Sequence, residues 1–90
     1  MKISSENLDK PAITTKDIMS NKKEITYVVY DSDGDWQFLS NEEVSEEDAM
    51  VVSVGQVLEK DPSLFDLPEI EKNDEFTRIN KQSQWVKLKS

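Results

Sequence analysis

The sequence predicts a small α+β domain built on a mainly antiparallel β-sheet with one or two short helices. Three observations carry that expectation. Residues 25–30, ITYVVY, are all β-branched or aromatic, the side chains that best fit a pleated, half-buried surface. Apart from a threonine before residues 16–19, helix-capping signals are confined to residues 53–67. The remaining apolar runs are short, and most are joined by short polar connections, which suits strands that fold back on their neighbours.

The elements follow in chain order. Residues 1–11 are polar, end at Pro11 and read as a loose lead-in; residues 12–90 form the single domain. Ala12-Ile13-Thr14-Thr15 suits a short strand, after which Thr14 or Thr15 caps a helical turn through Lys16-Asp17-Ile18-Met19. Asn21-Lys22-Lys23 is a turn. Strand 25–30 breaks at DSDGD and resumes as Trp36-Gln37-Phe38-Leu39, so a β-hairpin is expected about the acidic turn. Residues 40–48 are a polar loop or a frayed helical turn. Ala49-Met50-Val51-Val52 has the short, bounded, apolar pattern of a buried strand. Ser53 with Gln56 forms a capping box, and Val54, Val57 and Leu58 give the helix one apolar face that ends near Lys60. Asp61-Pro62 pairs a cap with proline at the first helical position and starts a second short turn through Leu67, closed by Pro68. Residues 75–79 and 84–88 complete the set as strands joined by Asn80-Lys81-Gln82-Ser83. Trp36 and Phe65 are expected in the core.

Composition narrows the chemistry. The chain has no cysteine and no histidine, which removes disulfides, thiolate nucleophiles, the side chain that titrates near neutral pH and the commonest transition-metal ligand. Ser45, Ser53 and Ser63 therefore have no imidazole to activate them, and no glycine-rich phosphate loop is present. No carboxylate sits inside an apolar run, where a general acid would be desolvated. A non-enzymatic protein without a cofactor is the expectation. No stretch has signal-peptide or membrane-spanning character, so the expected location is the cytoplasm.

The net charge of −8 is unevenly spread. Between Lys23 and Lys60 there is no base but ten acids: Glu24, Asp31, Asp33, Asp35, Glu42, Glu43, Glu46, Glu47, Asp48 and Glu59. Elsewhere nine acids face eleven bases. Such a field repels nucleic acid and anionic membranes and attracts cations or basic proteins. A solvated surface run accounts for the same letters, and a ligand site between sheet and helix is a third reading.

Asp31-Ser32-Asp33-Gly34-Asp35-Trp36 is the one stretch with metal-ligand spacing. Counted from Asp31, a calcium loop would use Asp31, Asp33, Asp35 and Glu42. Its sixth position, where the chain must bend sharply, holds Trp36 rather than glycine, and its flanks read as strands where the motif needs helices. Asp33-Gly34 is a common hairpin-turn pair, so the turn reading is preferred and no metal is expected.

Several stretches resemble a family of small bacterial domains grouped with predicted immunity proteins of polymorphic toxin systems. They are residues 25–30, Asp33-Gly34-Asp35-Trp36-Gln37-Phe38-Leu39, residues 46–53, Leu58, Asp61-Pro62-Ser63-Leu64, Arg78 and Trp85. The similarity spans roughly residues 12–86 and is most specific in the hairpin and in the Asp-Pro-Ser-Leu turn. It departs at residues 69–74, where such proteins carry a more glycine-containing turn. The resemblance implies a protein that blocks a toxin by stoichiometric occlusion. An acidic loop steered onto a basic, toxin-like protein would serve that role. The candidate partner-binding residues are Asp31, Asp33, Asp35, Glu42, Glu43, Glu46, Glu47 and Asp48, with Trp36 anchoring the loop from inside.

Overall fold

In a computed structural model, which describes residues 8–40 and 47–88, the chain forms one six-stranded sheet with two short α-helices and a 3-10 helix. The strands are β1 (Pro11–Thr15), β2 (Tyr27–Tyr30), β3 (Trp36–Leu39), β4 (Ala49–Ser53), β5 (Asp74–Thr77) and β6 (Val86–Lys87). The helices are α1 (Lys16–Met19) and α2 (Val54–Lys60), followed by the 3-10 helix Pro62–Asp66. The sheet order is β4-β1-β3-β2-β5-β6, with β1–β3 parallel and every other pair antiparallel. The expected α+β class and largely antiparallel sheet are both present.

The register decides which residues share a face. Trp36 lies opposite Tyr30 and Ala12, and Phe38 opposite Val28. Phe76 also pairs with Val28, and Val52 with Ala12. These residues form the buried face, against which Val54, Val57 and Leu58 of α2 pack together with Leu64, Leu67 and Ile70. The alternate set, including Ile13, Tyr27, Val29 and Gln37, occupies the other face and is only half-buried. A period of two splits every strand between a packed and an open surface.

The local signals explain the termini of the elements. Thr15 accepts from the Ile18 N–H and starts α1, and Ser53 with Gln56 closes both halves of the capping box on α2. The Asp61 carboxylate accepts from the Ser63 N–H and caps the 3-10 helix, whose first residue is Pro62. Strand ends are shorter than the sequence suggests. Ile25 and Thr26 are buried but precede the β2 ladder, and β6 keeps two residues of the predicted five. At the other end of the chain β1 starts at Pro11. Lys10 and Leu8 accept main-chain hydrogen bonds from Val54 and Gly55, so residues 8–11 of the expected lead-in are tied to α2.

Two core expectations are corrected. Phe65 is 45% exposed, because the short 3-10 helix turns Leu64 inward and Phe65 outward. The run 49–52 is an edge strand rather than a buried one: Val52 is buried, but Val51, on the open face, is 71% exposed. Where the resemblance expects glycine, Asn73 adopts φ 75°, a left-handed conformation that asparagine tolerates better than most side chains.

Candidate functional site

The acidic hairpin loop is built by its own first residue. Asp31 Oδ1 accepts from the Asp33 and Asp35 N–H groups at 2.9 and 3.0 Å, and Oδ2 accepts from Gln37 Nε2 at 3.4 Å. The Asp31 N–H donates to the Asp35 carbonyl and the Gly34 N–H to the Asp31 carbonyl, each at 3.0 Å. The connection is therefore a five-residue loop, not a two-residue Asp-Gly turn, and Gly34 supplies the left-handed residue at φ 86°. The Asp35 N–H, followed by those of Asp33 and the Gln37 amide, holds the Asp31 carboxyl below its ordinary range. The same contacts fix the main chain of Asp33 and Asp35, and one oxygen from each of the three carboxylates lies within 4.8 Å of the others.

That spacing concentrates negative charge at the loop tip. Asp31 already spends both oxygens on the turn, and strands rather than helices flank the loop, unlike a calcium-binding helix–loop–helix. Trp36 is wholly buried at the start of β3, with its ring stacked 4.7 Å from Tyr30 and 5.8 Å from Phe38. Its place in the core fits the expected anchoring of the loop and leaves it no surface for a partner.

The topology separates the other predicted residues from this loop. β3 leaves the hairpin at Trp36 and ends at Leu39; β4 begins at Ala49, opposite Thr15, the last residue of β1, which runs parallel to β3. Glu47 and Asp48 thus sit at the far end of the strands, about 13 Å of strand length from the loop. Both are exposed. Glu42, Glu43 and Glu46 lie outside the described residues. The run that is continuous in sequence is not one patch among the described residues.

A second cluster was not assembled by sequence reasoning, although its members all appear in the resemblance. Arg78, 3% exposed, follows β5 and meets Asp61, also 3% exposed, through Nη2–Oδ2 at 2.7 Å. Its Nε donates to the Ile25 carbonyl at 2.9 Å, and Nη1 donates to Ser63 Oγ at 2.9 Å and to the Lys81 carbonyl at 3.5 Å. Ser63 Oγ also donates to Asp61 in a short hydrogen bond. The Trp85 ring lies 4.2 Å from Cζ of Arg78, a cation–π contact. One guanidinium therefore ties α2 and the 3-10 helix to β2, β5 and the segment leading into β6. The sequence signal was an arginine in a β-branched run, where an unpaired charge cannot be buried.

Beside this cluster lies an open cleft of about 450 Å³ lined by Asp66, Pro68, Lys81, Gln84 and Trp85, among others. On the open face the Tyr27 hydroxyl donates to Glu75 in a short hydrogen bond; burial first, then the Glu75 carboxylate, pushes the Tyr27 pKa up to about 12. What the described residues offer chemically is charge and shape. The buried carboxylate and its hydroxyl neighbour are both engaged by Arg78, and the exposed carboxylates are grouped on a loop fixed by its own main chain. No family model matches the chain, and no curated protein or solved structure matches it either.

Proposed function

We propose that this chain is a non-enzymatic binding protein of the immunity type, which occludes a basic protein partner and meets it with the hairpin loop Asp31–Asp35. The observation that carries the reading is the loop itself. One oxygen from each of three carboxylates lies within 4.8 Å of the others, on a loop whose main chain is fixed by hydrogen bonds to the Asp31 carboxylate and set on two strands whose rings stack in the core. A rigid anionic knob loses little conformational freedom on docking and steers a cationic surface toward itself. Neighbouring sequence reinforces the field, since no lysine or arginine occurs between Lys23 and Lys60. One base, Lys72, does reach the loop: its Cε would lie 3.9 Å from a Cβ at Gly34. The resemblance to immunity domains, most specific in this hairpin and in the Asp61-Pro62-Ser63-Leu64 turn, supports the same role.

The test is capture of a partner from the host's lysate, followed by titration of the purified partner with an Asp33→Asn/Asp35→Asn variant. Asp31 is left in place because it builds the turn. At low salt the association rate should fall about tenfold or more, and its dependence on ionic strength should flatten, with the melting temperature kept. An unchanged rate and salt slope would overturn this reading.

A further inference from the structure

We propose that the outer edge of β4 is a docking site for an extended, basic segment of the partner, which adds to the sheet as a seventh strand. This rests on the reading above that the partner is basic. The ladder between β1 and β4 is unbroken from Pro11↔Ser53 to Thr15↔Ala49. It is bracketed by hydrogen bonds from the Lys16 N–H to the Asp48 carbonyl and from the Val54 N–H to the Lys10 carbonyl, each at 2.9 Å. In an antiparallel pair the groups facing the partner strand alternate, so Asp48, Met50, Val52 and Val54 turn toward β1. The N–H and C=O groups of Ala49 and Val51 then point out of the sheet. Ser53 shares that direction, and its outward N–H is closed by Gln56 Oε1 at 2.9 Å. Among the described residues the edge is thus capped at Ser53 and open at Ala49 and Val51.

Sheet edges are ordinarily shielded by lysine, proline, a bulge or brevity. The opposite edge obeys this rule: β6 has two residues, one of them Lys87. β4 has none of these devices. Its five residues are Ala-Met-Val-Val-Ser, in regular register, with Val51 71% exposed. Charge selects the occupant. Glu47 and Asp48 are exposed at the start of β4, and the exposed bases at the two ends of its ladder, Lys16 and Lys10, belong to the β1 side, away from the outer edge. A strand with an apolar side chain opposite Val51 and a lysine or arginine beside Asp48 is complementary; a second copy of this chain, itself at −8, would bring like charges together.

The probe is a synthetic peptide of alternating valine and threonine flanked by lysines, compared with the same peptide flanked by glutamates. Amide NMR of the full chain should show saturable shifts, and hydrogen exchange slowed by tenfold or more, at Ala49 and Val51 with the lysine peptide alone. Val51→Pro removes an outward N–H without touching the β1 ladder, and Val51→Lys adds a gatekeeper charge; each should weaken binding at least tenfold while circular dichroism and melting stay native. Binding unaffected by either variant, protection mapping elsewhere, equal binding of the glutamate peptide, no binding of the lysine peptide, or self-association of the chain through Val51 would each overturn the proposal. Loss of partner binding in Asp33→Asn/Asp35→Asn but not in the Val51 variants sinks the edge and leaves the proposed function standing. If neither set of variants changes partner binding, both fail.

Discussion

Replacing Arg78 by methionine removes one charge from the most enclosed polar contact among the described residues, and the cost can be worked from its geometry. Asp61 is 3% exposed and accepts from Nη2 at 2.7 Å, so the variant leaves a carboxylate buried beside Ser63 with no counter-charge in contact. Breaking a buried pair by deleting one partner costs about 3–5 kcal/mol, because the remaining charge stays desolvated. The Ile25 carbonyl loses its donor at 2.9 Å, and the Trp85 ring loses its cation, each a contribution of about 1 kcal/mol. Methionine refills most of the volume, so about 4 kcal/mol is the expected net loss. A domain of this size has roughly 5–13 kcal/mol in total, and its melting point should fall by about 15–30 °C. Urea unfolding of the single variants and of Arg78→Met/Asp61→Asn completes a double-mutant cycle. The double variant should be more stable than Arg78→Met alone by about 1–3 kcal/mol, because the orphaned charge is gone. A loss below about 1 kcal/mol in Arg78→Met, or additive costs in the cycle, would refute the account of this contact as a coupled buried pair.

Two further expectations concern the hairpin. Trp36 is wholly buried, yet its Nε1–H donates to no acceptor among the described residues, so the indole is held by packing rather than by its polar atom. Trp36→Ala should cost about 3–5 kcal/mol in chemical denaturation. Trp36→Phe, which also discards an unsatisfied donor, should cost less than about 2 kcal/mol; equal losses would mean that Nε1 has a partner. Asp31 has its folded pKa depressed, chiefly by the Asp35 N–H, so its contribution to stability is present above its unfolded value near 4 and disappears as pH falls through the folded value. Acid titration of stability should therefore be shallower below about pH 4 in Asp31→Asn than in the parent, and identical slopes would remove Asp31 from the acid response.

Where pattern and local chemistry act over a few residues, the sequence was sufficient. The Ser53–Gln56 box, the Asp61-Pro62 start and the threonine cap of α1 each depend on side chains within three positions of the main chain they bond; the first two stand as read, and of Thr14 and Thr15 it is Thr15 that caps. The hairpin was legible for the same reason, though its turn type was not. Asp33-Gly34 favours a two-residue turn, but the Asp31 carboxylate competes successfully for the Asp33 and Asp35 N–H groups and widens the loop to five. Phe65 shows the limit in a helix of one turn and a half, where neighbouring apolar residues cannot both face the core. Long-range arrangement was beyond reach in each case that matters for function. An apolar tetrapeptide reads alike whether its strand is central or at an edge, so the run 49–52 has the pattern of a buried strand although Val51 is exposed. The pairing of Asp61 with Arg78, 17 residues away, required the β5 register.

The same non-local geometry changes what the acidic run can do. Read along the chain, Asp31 to Asp48 is one field. Because β1 lies between β3 and β4, parallel to one and antiparallel to the other, β3 ends and β4 begins at the same far end of the sheet. That register places Asp31, Asp33 and Asp35 at one end of the strands and Glu47 and Asp48 at the other. A ligand shorter than about four extended residues cannot neutralise both, since about 13 Å of strand length separates them. A folded partner can, if it spans the length of a strand and contacts both ends at once. The open edge of β4 runs along the same direction, starting at Asp48 and ending at Ser53, which pairs with Pro11 at the hairpin end of the sheet. A segment laid along β4 would therefore lead from one acidic group toward the other. In that arrangement the main chain of β4 supplies register, the two acidic ends supply orientation and encounter rate, and neither by itself specifies the partner.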